Sequence, residues 1–81
     1  MYQSKYEIIP GKVYKLGDCD KHVSDMQQRL MLLGYLPSDE PSDVFNKPLE
    51  QAVKLFQRAN HLAQSGEADE ALLRLLYPDA P

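Results

Sequence analysis

The chain has no tryptophan, a single cysteine and fewer basic than acidic residues, and each shortage closes off a class of protein. Cys19 has no partner within the chain, so this is not one of the small secreted folds stapled by internal disulfides. Nine lysines and arginines face twelve aspartates and glutamates, a formal net charge of −3 with no basic cluster. Phosphate neutralisation supplies most non-specific affinity for nucleic acid, so no nucleic-acid partner is expected. The longest wholly apolar run, Leu30 to Leu33, is far too short to cross a bilayer, and no membrane insertion is expected. No charged segment followed by a long apolar stretch opens the chain, which puts any export signal outside it.

What is present is the composition of one small soluble domain: 81 residues, 43% hydrophobic and 26% charged, near the lower limit for a self-sufficient core. Residues 1–15 read as an extended arm in which Pro10-Gly11 suits the centre of a type II turn. That turn fits either a hairpin or a bent, irregular arm. A first helix is predicted from Asp20 or Lys21 to Leu33, capped by Asp18 and Asp20, with Val23, Met26, Leu30 and Leu33 on one stripe. Gly34 supplies its left-handed stop. A second helix is predicted from Lys47-Pro48 to Asn60-His61, burying Leu49, Ala52, Val53, Phe56 and Ala59. A third, from Asp69 to Leu76, carries Leu72, Leu73, Leu75 and Leu76 and ends before Pro78.

The first two helices share a weak internal repeat: Val23/Val53, Met26/Phe56, Gln27/Gln57 and Leu32/Leu62 match at one offset. Gln27 and Gln57 fall at the edge of the apolar stripe, which leaves two readings. Each amide either bonds backbone groups of an adjoining loop or lines a ligand groove.

Several constellations that could carry chemistry are incomplete. "DCDKH" sets Cys19 and His22 three residues apart, but only His61 could join them as a nitrogen or sulfur ligand, short of a structural zinc set. As a nucleophile and base, the same pair has no third group to orient it. The bland reading has Cys19 partly buried and His22 facing solvent. Asp39 to Glu50 spaces its acids like a calcium loop, yet Pro41 and Val44 occupy the third position and the glycine position. Neither a metal, a cofactor nor a catalytic residue is expected. Tyr35 either closes the core edge with its hydroxyl in water or stacks on a ligand.

In this order, "KLGD", "V..MQQRL..LGYL", "SDVFN", "EQAVKLFQRAN" and a closing leucine-rich helix make the chain resemble the bacterial peptidoglycan-binding-domain family. The resemblance runs from Leu16-Gly17 to about Tyr77. It implies an all-α fold, a three-helix orthogonal bundle at residues 16–77, preceded by the extended N-terminal arm at 1–15 and followed by a linker at 78–81. It also implies a non-catalytic module, monomeric in isolation, that targets a larger secreted or surface protein to peptidoglycan, outside the cell at the bacterial wall. Adjacent domains or tandem copies are expected beside it. The ligand, a glycan strand or peptide stem, would meet Tyr35, Ser42, Asp43, Gln57 and Asn60. Asp20, Asp43, Asn46, His61 and Asp69 stand where the family pattern has glycine, and all five are expected at positive φ. Leu49 and Leu72 replace threonines of the pattern. These departures leave an alternative, a module that lost its ligand and serves as a spacer or docking domain. An exposed patch of Tyr6, Ile8, Val13 and Tyr14 would favour that alternative.

Overall fold

Three short polar residues start the three helices, and they do so with their side chains. In the computed structural model, which describes residues 7–37 and 42–78, α1 spans Lys21–Leu32, α2 spans Lys47–Ala59 and α3 spans Glu70–Leu76. Asp20, Asn46 and Asp69 precede them in extended conformation, at φ −164°, −107° and −93°. Their side-chain oxygens accept from the amides of His22, Leu49 and Leu72 at 2.8, 3.0 and 2.9 Å. Each bond satisfies an amide that the first helical turn leaves without a partner.

The expectation of positive φ at five replaced glycines therefore fails at four. Among the described residues His61, at φ 61°, is the only non-glycine there; Asp20, Asp43, Asn46 and Asp69 are not. Capping needs an extended backbone and a short acceptor side chain, so Asp20, Asn46 and Asp69 add a bond where glycine could add none. Asp18, also expected to cap α1, instead accepts from the Lys15 amide at 2.9 Å.

The helix ends follow one plan. After α1 the Tyr35 amide donates to the Leu30 carbonyl (2.9 Å) and Gly34 to Met31 (3.1 Å); after α2, Leu62 donates to Gln57 (2.8 Å) and His61 to Arg58 (3.2 Å). Both are Schellman closures around a left-handed residue, Gly34 at φ 88° and His61 at φ 61°.

Val23, Met26, Leu30, Leu49, Val53 and Leu73 are wholly buried at the centre of the core. In each helix the buried stripe is one residue narrower than the expected one. Leu33 and Leu75 are 51% and 47% exposed and Ala59 is exposed. Leu33 and Ala59 lie where their helices end, and Leu75 falls off the face shared by Leu72, Leu73 and Leu76.

The arm belongs to this core from Ile8 onward. Pro10-Gly11 does make the expected turn: the Lys12 amide donates to the Ile9 carbonyl at 3.1 Å, with Gly11 at φ 78°. No hairpin follows. Tyr14 pairs instead with Ala68, amide to carbonyl in both directions at 3.0 and 2.8 Å, and a second bridge joins Cys19 to Val44. Ile8 and Tyr14 are buried at 7% and 2% exposure, so the apolar docking patch does not form; its fourth member, Tyr6, lies outside the described residues. The Tyr14 hydroxyl also reaches His22 Nδ1 at 2.9 Å, so His22 is half-buried against the arm rather than turned to solvent. Cys19 is exposed, not partly buried.

At the other end Tyr77 is a core residue, 1% exposed. Its hydroxyl donates to the Asp25 carboxylate, and the Arg29 guanidinium lies 4.8 Å from its ring centroid while Arg29 Nε donates to the Leu76 carbonyl at 3.0 Å. Asp25 and Arg29, one turn apart on α1, thus clasp the end of α3. Of the expected 78–81 linker, residues 79–81 lie outside the described residues.

Candidate functional site

Gln27 and Gln57 are the only polar side chains buried among the described residues, each 2% exposed, and both are turned toward the loop before the next helix. Gln27 Oε1 accepts from the Ser42 amide at 2.7 Å and its Nε2 donates to the Val44 carbonyl at 2.9 Å. Gln57 Oε1 accepts from the Gly66 amide at 3.0 Å, and its Nε2 donates to the Glu67 carbonyl and Ser65 Oγ, both at 3.1 Å. The loop-bonding reading accounts for both amides, which supply the partners that irregular buried backbone lacks.

The two loops are built alike. Ser42 Oγ accepts from the Val44 amide and Ser65 Oγ from the Glu67 amide, each at 3.1 Å, and each loop then runs into its N-cap, Asn46 or Asp69. In sequence, the second of these loops is instead like the segment before α1. Gly17-Asp18-Cys19-Asp20 and Gly66-Glu67-Ala68-Asp69 share glycine, acid, small residue and capping aspartate, with the glycines at φ 97° and 78°.

The loops differ in what covers them. A Cβ on Gly66 would lie 3.0 Å from both Glu50 Cγ and Lys54 Cε, so the second loop is laid against α2. Gly66→Ala should therefore lower stability by about 1–2 kcal/mol, from left-handed strain plus this contact, in urea unfolding followed by circular dichroism. An unchanged midpoint would refute that reading of the loop. The first loop is more open: Asp43 and Val44 are exposed and Ser42 is half-buried.

The five residues expected to meet a ligand consequently fall into three settings. Tyr35 and Asn60 gather around Phe56 at the C-terminal ends of α1 and α2. The Tyr35 ring meets Phe56 edge to face, 5.4 Å between centroids at 83°, and Asn60 Nδ2 donates to the Phe56 carbonyl at 2.9 Å. Ser42 and Asp43 sit against the first half of α1, where the Asp20 amide donates to the Asp43 carbonyl at 2.9 Å. Gln57 is beneath the surface, its amide engaged by residues 65–67. Phe56 and Gly66 did not figure in the expected set, yet they organise two of these settings.

Among the described residues no cluster of three or more histidine, cysteine, aspartate or glutamate side chains could hold a metal ion. Among the described residues Glu70 is the one carboxyl with a clear shift, held below the usual carboxylate range by Arg74, which donates to it at 3.0 and 2.8 Å, and then by the Gly11 amide at 3.2 Å. That arrangement ties the arm to α3.

A family model described as a peptidoglycan binding domain matches residues 20–76. The chain belongs to the peptidoglycan-binding-domain family. A CtpA-like serine protease of Staphylococcus epidermidis is 41% identical over 69 residues, which are 85% of this chain but 14% of that protein. The SleB N-terminal domain superposes with a TM-score of 0.76 at 24% identity, covering 84% of this chain and 92% of that one, a likeness of fold. An endolysin of Burkholderia AP3 phage gives a TM-score of 0.72 at 26% identity, over 80% of this chain and 24% of that one. This peptidoglycan-binding-domain chain spans only 14% of the protease and 24% of the endolysin, and it shares with its structural neighbours an all-α bundle.

Proposed function

We propose that the chain is a non-catalytic module that docks a larger exported protein on bacterial peptidoglycan. Family membership carries this reading, supported by the small share of each longer relative that the chain matches. The mechanism is proximity. A weak module joined to a hydrolase or protease holds it near the wall and raises the effective concentration of substrate without adding chemistry. On this reading the module works outside the cell, as a monomer in isolation, and any activity resides elsewhere in the parent protein. The residues proposed to face the wall are Tyr35 and Asn60 at the C-terminal ends of α1 and α2 and Ser42 and Asp43 in the open first loop, while Gln57 supports the loop at Gly66 from within.

The test is co-sedimentation of the domain, singly and as a tandem dimer, with purified sacculi. The expected result is partial retention of the single copy and at least tenfold tighter retention of the dimer, since linkage can raise avidity by about 10²–10⁴. Complete recovery of both forms in the supernatant would reject wall binding.

A further inference from the structure

Given wall binding, on which this inference rests, we infer that the contact point is the paired C-terminal ends of α1 and α2, with Tyr35 as a stacking ring and Asn60 as a hydrogen-bonding partner, and that it takes the uncharged glycan strand, not the peptide stem. Tyr35 is half-buried, and its backbone is fixed by the Schellman closure after α1. Its ring is braced edge to face on Phe56, which leaves it little rotational freedom to lose on binding. Among the described residues its hydroxyl has no hydrogen-bond partner. The same is true of Asn60 Oδ1, whose Nδ2 is occupied by the Phe56 carbonyl. Beside the ring, Gly34 has nothing within 4 Å of the place a Cβ would fill, so a flat group can approach the backbone there.

The side chains named at this point are neutral. Leu33, Gly34, Tyr35, Phe56 and Asn60 carry no charge, and Leu33 is 51% exposed. Arg29 is engaged with Tyr77 and the Leu76 carbonyl. Arg58 follows Phe56 by two positions, roughly 200° around the helix, and so leaves from the opposite side. Peptide stems carry free carboxylates and amines, which lose hydration on binding and need opposite charges in return. N-acetylated hexosamine rings offer an apolar C–H face to an aromatic ring and hydroxyls to a neutral donor and acceptor.

The experiment is a heteronuclear NMR titration of the 81-residue chain with an N-acetylglucosamine tetramer and, separately, with a synthetic stem pentapeptide. The tetramer is expected to shift the amides of Gly34 and Tyr35 and the Asn60 side chain; the pentapeptide is expected to shift none of them. Tyr35→Leu keeps an apolar contact on Phe56 and should weaken tetramer binding about tenfold, with its fold checked by the dispersion of the same spectra. Should Tyr35→Leu fail to fold, the shift map of the parent chain decides the matter alone. Sacculus retention without tetramer-induced shifts at Tyr35, or shifts there from the pentapeptide alone, would overturn the glycan assignment and leave wall binding standing. Loss of sacculus retention would instead remove the reading beneath it.

Discussion

Replacing Phe56 by alanine is expected to remove about 3–5 kcal/mol of folding stability, read as the shift of the urea midpoint at constant slope. Phe56 is 5% exposed and lies where three things meet: the α2 stripe, the Tyr35 ring and the Asn60 side chain. Removing the ring loses its transfer energy, leaves a cavity under Tyr35 and frees that tyrosine from its brace. A domain of this size holds only about 5–15 kcal/mol in total, so the variant should be partly unfolded at modest denaturant concentrations. Phe56→Leu, which keeps most of the volume, should cost under about 1.5 kcal/mol. A parent-like midpoint for the alanine variant would mean that Phe56 is not part of the packed core.

The second large effect is expected from a polar residue. Gln57→Leu should cost about 2–3 kcal/mol, because it strands the Gly66 amide and the Glu67 carbonyl and removes the Ser65 contact. Gly66 is buried, so water cannot easily replace the lost acceptor. Gln27→Leu should cost less, since water can reach the exposed Asp43 and Val44 of the matching loop. Equilibrium unfolding gives the totals, and hydrogen exchange of the Gly66 amide reports the local loss. Equal costs for the two glutamines, or none for Gln57, would show that loop anchoring is not what these amides do.

Helix periodicity, the proline at the start of α2 and the glycine after α1 were legible because they act within one or two turns of chain. The corners were harder. Asp20, Asn46 and Asp69 stand at positions where the family pattern has glycine, and that comparison suggested left-handed turns. Their own chemistry, short acceptors just before a helix, pointed to capping, and capping won. His61 is the exception because it follows α2 rather than preceding a helix. The candidate site was legible only in part: Tyr35 and Asn60 come together around Phe56, whereas Gln57 turns inward, and no spacing of residues distinguishes these outcomes.

By its own pattern the sequence determined three amphipathic helices, the Asp20 cap of α1 and the Gly34 stop after it. Tertiary structure alone decided that Tyr14 pairs with Ala68, that Asp25 and Arg29 hold Tyr77, and which loops the two glutamines anchor. Helix signals depend on neighbours three or four residues away. These contacts join groups far apart along the chain, and their partners are chosen by which buried polar groups still need a bond once the helices have packed.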